Sequence, residues 1–322
     1  MAIAFLKVSK ISRRTGATAC ARMAYVLRAR IHDPRIATTH DYMRMGDGDL
    51  LASGITGWRG SAESLAQAMS TAEKRGDACE GRSAILAVPH ELTLEQSSAL
   101  VADWCRHLNE QHNVACAWVI HAPDAHGDER NVHAHVVITG RRSNGCALGE
   151  KARELDDRKT GPAAIEAWRA AWGELAGRAL EQAGKAQPVD MRSWKRRLTA
   201  DGLPHNLVQG EEHLGPARSS AERRGRKTAA GGRNRRRRKR RAVAEALIAE
   251  SHAVQQAEEK KRHTNGTGAW LHVKQANNSS KSINPKIRKS SLEKTTRIAG
   301  RIVDDIAEEI SATAKSRDDE QR

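Results

Sequence analysis

The sequence predicts an α+β fold, an antiparallel sheet with helices packed on one side of it, followed by a basic, partly disordered or helical tail. Three observations predict it. Two runs rich in Val, Ile and Trp, Ala115 to His121 and Asn131 to Thr139, flank a short polar loop and form a hairpin. Two segments repeat apolar residues at spacings of three and four, as amphipathic helices do. The order strand, helix, strand, helix, strand, strand, helix suits an antiparallel sheet with helices against it.

In chain order, Ile3 to Val8 reads as a strand. Gly16 to Arg30 reads as a first helix, with Ala19, Met23 and Val26 on one stripe and Tyr25 within it. Ile31 to Thr56 is polar, carries Pro34 and Gly46-Asp47-Gly48-Asp49, and is expected to be a loop. Ser83 to Val88 is a buried strand stopped by Pro89. Thr93-Leu94-Glu95-Gln96 has the capping-box pattern, so a helix is expected from there to about Gln111. After the hairpin, Gly161 to Ala183 is a helix whose Ile165, Trp168, Trp172, Leu175 and Leu180 form a core stripe. A charged helix from Ala242 to about Lys261 and a last one from Ser291 to Thr313 are expected in the tail.

Composition divides the chain of 322 residues into a domain over 1–215, a basic linker or DNA-binding segment over 216–241 and a charged helical or disordered tail over 242–322. The basic segment holds thirteen Lys or Arg against the single acid Glu222, an excess of twelve within a net charge of +16. That density suits a polyanion, because displaced counterions supply affinity for nucleic acid. Arg235, Arg236, Arg237 and Arg238 are its densest run. The segment lacks the aromatic and leucine residues that insert into membranes. No apolar run approaches a membrane span and no signal-peptide core is visible, so the expectation is a soluble, cytoplasmic protein without membrane insertion. The five cysteines are an odd number, scattered without a C-x-x-C pair, so neither a disulfide framework nor a thiolate zinc site is suggested.

His133 and His135 are two apart in a strand, so both side chains leave the same face of the sheet. Closing the hairpin brings His121, at the end of the preceding strand, beside them. Three imidazoles can hold a divalent metal and leave positions open for substrate oxygens. His126, in the connecting loop, is the rival third ligand. Only two tyrosines occur, Tyr25 and Tyr42.

Several segments together resemble the MobA/MobL (MobQ-type) relaxases of mobilisable plasmids, within the HUH endonucleases. They are Met1-Ala2-Ile3, Ala21-Arg22-Met23-Ala24-Tyr25, His40-Asp41-Tyr42-Met43-Arg44, Val88 to Gln96, Asn131 to His135, Ala167-Trp168 to Ala183-Gly184, His213 to Ala217 and Glu222 to Gly225. The resemblance covers about residues 1 to 225. It implies a nicking and joining reaction at a plasmid transfer origin, oriT, with Tyr25 attacking a DNA phosphodiester and His121, His133 and His135 holding Mg²⁺ or Mn²⁺. Tyr42 matches the family's second tyrosine position. A phenol is mostly protonated at neutral pH, so the attack needs help in removing its proton. The family places a carboxylate near Ser83 to Ile85; this chain has none there, and Glu91, Asp77 or Glu80 are the candidate substitutes, Glu91 being the possible base.

The resemblance further implies single-stranded or locally melted oriT DNA as substrate, with accessory mobilisation proteins and a type IV secretion coupling protein as partners. Arg13, Arg14, Arg22, Arg28 and Arg30 surround Tyr25 in sequence and are candidates to grip the strand. Two other readings compete. A non-catalytic DNA-binding mobilisation or regulatory protein would lack the chemistry, and a rolling-circle replication initiator would place its tyrosine after the histidines rather than before them.

Overall fold

The computed structural model describes residues 5–123, 129–185, 189–204, 207–212 and 214–267. The chain divides into two compact units, Met1–Met191 and Arg192–Arg322.

In the first unit the elements run β1 (Leu6–Ser12), α1 (Ala19–Leu27), β2 (Arg30–Asp33), β3 (Thr38–Asp41), β4 (Leu50–Thr56), α2 (Ala62–Ala72), β5 (Cys79–Ala87), α3 (Leu94–His112), β6 (Val114–His121), β7 (His133–Ser143), β8 (Leu148–Lys151), α4 (Arg153–Asp156) and α5 (Thr160–Gln182). The main sheet has the order β1-β5-β7-β6-β4, with β8 pairing β7, and its pairs are antiparallel. β2 and β3 form a separate antiparallel ribbon.

The α+β expectation therefore holds, with one correction: helices cover both faces of the sheet. Alternate residues of β6 serve opposite layers. Cys116, Trp118 and Ile120 pack with Leu100, Val101 and Trp104 of α3 and with Trp168 and Trp172 of α5. Ala115, Ala117 and Val119 pack with Cys20, Met23 and Val26 of α1 and with Leu65 and Met69 of α2. The first layer is anchored by Trp104, whose indole meets Trp168 and Trp172 edge-on at 6.4 and 6.1 Å. Each such pair adds about 0.5 to 1.5 kcal/mol beyond area burial.

Local signals explain where several elements begin and end. The expected capping box is present: the Thr93 hydroxyl accepts from the Gln96 N–H while the Gln96 side chain accepts from the Thr93 N–H. Thr18 caps α1 by accepting from the Ala21 N–H, and Arg28 ends it in the left-handed conformation at φ 53°. The hairpin pairs Val119 with His135 and His121 with His133. The stripe of α5 lies in the core as expected.

The stretch Ile31 to Thr56, expected to be a loop, instead contains β2, β3 and β4. β3 is largely exposed and polar, and β4 is an edge strand, so neither shows the apolar signature of a buried strand. Helix α2 was also not anticipated. The initial strand starts at Leu6, and Ile3 lies outside the described residues.

In the second unit, α6 (Trp194–Ala200), α7 (Gly215–Arg223) and α8 (Ala229–Thr267) are helical. A small core of Leu198, Leu203, Leu207, Val208, Ala244, Leu247 and Ile248 joins α6 and the segment after it to α8. Much of the basic segment 216–241 is thus carried on helices, and the helix expected to begin at Ala242 begins at Ala229. The helix expected at Ser291 to Thr313 lies outside the described residues. Among the described residues, no helix is long and apolar enough to cross a membrane.

Candidate metal centre and tyrosine site

His133 and His135 occupy alternate positions of β7, and His121 ends β6 opposite His133. All three side chains therefore leave the face covered by α1 and α2. One nitrogen from each ring lies within 4.8 Å of one from the other two, and ring centroids are 4.9 to 5.5 Å apart. The rival ligand His126 lies outside the described residues.

Hydrogen bonds orient two of the rings. His121 is 2% exposed, and its Nε2 lies 2.8 Å from the Val26 carbonyl, to which it donates, leaving the lone pair on Nδ1. His133 Nδ1 lies 3.0 Å from the Asn131 carbonyl and likewise donates, which leaves Nε2 as the ligand atom. His135 Nδ1 is buried without a hydrogen-bond partner. Burial, reinforced by the neighbouring His121 and His133, pushes the His135 pKa down to about 3. Burial also lowers that of His121, against the opposing pull of the Val26 carbonyl and Asp49. Imidazoles with converging nitrogens, one of them orphaned, are a donor set that fits a divalent transition-type cation or Mg²⁺ with further oxygen ligands.

Tyr25 lies on α1, the residue before Val26, half-buried against the α1 layer of the core. Tyr42 meets it edge-on with ring centroids 5.5 Å apart. The Arg28 guanidinium carbon sits 5.0 Å from the Tyr25 ring centroid, and Nη1 donates to the Tyr25 carbonyl at 2.8 Å. Both tyrosines thus share one aromatic pair, although 17 positions apart in the sequence.

Asp49, just before β4, was missed by sequence reasoning. Its carboxylate lies 2.7 Å from Arg28 Nη2 and 3.6 Å from His121 Nδ1, and its carbonyl accepts from the Ala122 N–H at 2.7 Å. The Arg28 hydrogen bond holds this carboxyl below the usual carboxylate range. The Gly46-Asp47-Gly48-Asp49 run marked only a turn, and nothing local announced a partner 72 positions away.

The other candidates fall in different places. At the strand position lacking a carboxylate, Ile85 pairs with His135 and Ser83 with Val137. Glu80 is fully buried, pairs with Arg13 at 2.6 Å and accepts from the Ala19 N–H. Arg13 is 4% exposed at its side chain and also donates to the carbonyls of Ser70, Glu73 and Arg75. Asp77 is on the surface, 2.9 Å from Arg75. Glu91 sits in the turn after Pro89, 3.1 Å from His90. Arg14 is exposed, and Arg22 is half-buried with its charge acting on His135.

The MobA/MobL family matches residues 17–224, a span that contains both tyrosines, Asp49 and all three histidines. The chain belongs to the MobA/MobL family. It is 35% identical over 254 residues to mobilization protein MobL of Acidithiobacillus ferridurans, covering 70% of this chain and 65% of that protein. It is 32% identical over 156 residues to mobilization protein A of Escherichia coli, covering 44% of this chain and 20% of that one. The chain therefore spans less than two thirds of these family relatives. Among solved structures, one described as the molecular basis of vancomycin resistance transfer in Staphylococcus aureus aligns with TM-score 0.49 and 20% identity, over 59% of this chain and 98% of that one. Another, described as conjugative relaxase TrwC in complex with oriT DNA in its metal-bound form, aligns with TM-score 0.36 and 15% identity, over 76% and 98%.

Proposed function

We propose that this chain is a mobilisation relaxase that nicks and rejoins one strand at a plasmid transfer origin, with Tyr25 as nucleophile. The observation that carries the proposal is the union of the two parts of the site: the His121 ring of the imidazole cluster is bonded to the carbonyl of the residue beside Tyr25. Family membership supports the same reading.

His121, His133 and His135 hold the metal in this reading, and Mg²⁺ or Mn²⁺ bound there supplies withdrawal of charge from the phosphate oxygens. The Tyr25 hydroxyl gives up its proton as its oxygen attacks phosphorus, the P–O3′ bond breaks, and the 3′ oxygen leaves and takes up a proton. The result is a 5′-phosphotyrosine and a free 3′ hydroxyl, so the bond energy is conserved for rejoining. Arg22 and Arg28 supply positive charge for the phosphate. Asp49 is ionised and weakly basic, which suits it to orienting His121 and Arg28 rather than to removing the phenolic proton. The substrate in this reading is DNA that is single-stranded or locally melted at the nick, as the family resemblance implies. Accessory mobilisation proteins and a type IV secretion coupling protein are the partners this role requires.

The test is incubation of the full chain and its Tyr25→Phe variant with labelled single strands tiling the DNA beside its gene, with Mn²⁺ or with chelator. A covalent adduct on a denaturing gel that needs both Tyr25 and metal supports the proposal. An adduct that survives Tyr25→Phe moves the nucleophile to Tyr42. DNA and metal binding without any adduct favours a non-catalytic DNA-binding member of the family.

A further inference from the structure

Three acids sort the cations of the second unit. Glu211 pairs with Arg238 and Arg241 at 3.0 Å each, Glu212 with Arg233 at 2.8 Å and Arg218 at 3.5 Å, and Glu222 with Arg235 at 2.5 Å. Arg237 acts on Glu212 through its charge. Among the described residues, Arg236, Lys239 and Arg240 have no ion pair. They stand at positions i, i+3 and i+4 of α8 and are therefore neighbours on one helix face. Arg236 and Lys239 are exposed and Arg240 is half-exposed.

We propose that Arg236, Lys239 and Arg240 form a docking face for the sugar-phosphate backbone of duplex DNA, while Arg235 and Arg238 are held back by their carboxylates. The proposal rests on the DNA-handling role given above for its choice of polyanion. Charge complementarity favours this occupant: three cations within about 6 Å of helix axis meet a polymer with one negative charge per about 1.7 Å. A phosphate approaching Arg238 also meets the Glu211 carboxylate, whereas one approaching Arg236 meets no ion-paired acid among the described residues. The stretch 229–250 contains no aromatic residue to stack on unpaired bases, which argues for a duplex over a single strand. Cations without base-reading partners give affinity that is independent of sequence and steep in salt.

The test is fluorescence anisotropy of the full chain with a labelled random-sequence duplex over a NaCl series, without metal. It reads no cleavage, so its failure is distinct from failure of the nicking chemistry. The variant R236Q/K239Q/R240Q is expected to flatten the slope of log K against log salt by about 2.7, at about 0.9 per lost phosphate contact. The variant R235Q/R238Q is expected to keep the parent slope. Glutamine has nearly the helix propensity of Arg and Lys, so far-UV circular dichroism should match the parent. A third variant, Glu211→Gln, releases Arg238 and Arg241 and should steepen the slope, which keeps the idea testable if the triple variant misfolds. An unchanged slope in the triple variant, equal flattening in R235Q/R238Q, or an effect confined to single strands overturns the proposal.

Discussion

His121 donates from Nε2 to the Val26 carbonyl at 2.8 Å, which ties the most buried imidazole of the candidate metal centre to the helix turn that carries Tyr25. Removing His121 therefore does two things. His121→Ala and His133→Ala should both abolish Mn²⁺ binding measured by calorimetry. His121→Ala alone should also lower stability by about 1 to 3 kcal/mol in denaturant unfolding, because it leaves a buried carbonyl unpaired. Equal stability in the two variants would show that the Val26 bond does not couple the parts.

Asp49 touches both Arg28 and His121. An Asp49→Asn substitution keeps the shape and removes the charge. The expected outcome is a metal affinity about 10 to 100-fold weaker with the fold intact, read by calorimetry and circular dichroism, as for other partners of metal-binding histidines. Unchanged affinity would assign Asp49 to Arg28 alone.

Arg13 and Glu80 form a buried pair at 2.6 Å. Glu80→Ala leaves a buried guanidinium without its carboxylate and should cost about 3 to 5 kcal/mol in chemical denaturation. The Arg13 side chain is spent inside the fold, so any loss of DNA affinity in Arg13→Ala should follow the loss of folded protein and not exceed it.

Tyr42 packs edge-on against Tyr25. Tyr42→Phe keeps the ring and should keep the covalent DNA adduct. Tyr42→Ala should lower adduct yield by loosening Tyr25, since the ring contact contributes about 0.5 to 1.5 kcal/mol. Loss of the adduct in Tyr42→Phe would instead give the Tyr42 hydroxyl a chemical role.

Glu222 joins the end of α7 to the start of α8, accepting from the Thr228 N–H and pairing with Arg235. The Thr228 hydrogen bonds, with Arg235 adding, lower its pKa to about 2 from 4.5. A depressed carboxyl stabilises the fold fully above its unfolded value and loses that contribution as pH falls through the folded one. The melting-temperature difference between the parent and Glu222→Gln should therefore be constant above about pH 5 and shrink progressively as pH falls toward about 2. A difference that does not shrink between about pH 5 and about pH 2 would rule out this linkage.

Local pattern in the sequence was enough to determine the α+β class, the capping box at Thr93, the core stripe of α5 and the β6–β7 hairpin that gathers His121, His133 and His135. Each of these is written within a few residues by a period of two, a period of 3.6 or a cap. Tyr25 as a candidate came from the resemblance and not from its surroundings. Tertiary structure alone decided that helices cover both faces of the sheet, that Ile31 to Thr56 holds three strands, and that Asp49 reaches His121. It also decided that Arg13 turns inward, 67 positions from its partner Glu80, and which arginines of α8 are neutralised. The reason is physical: an ion pair between distant residues leaves no local periodicity, and a polar edge strand is stabilised by backbone bonds to its neighbour rather than by apolar side chains of its own.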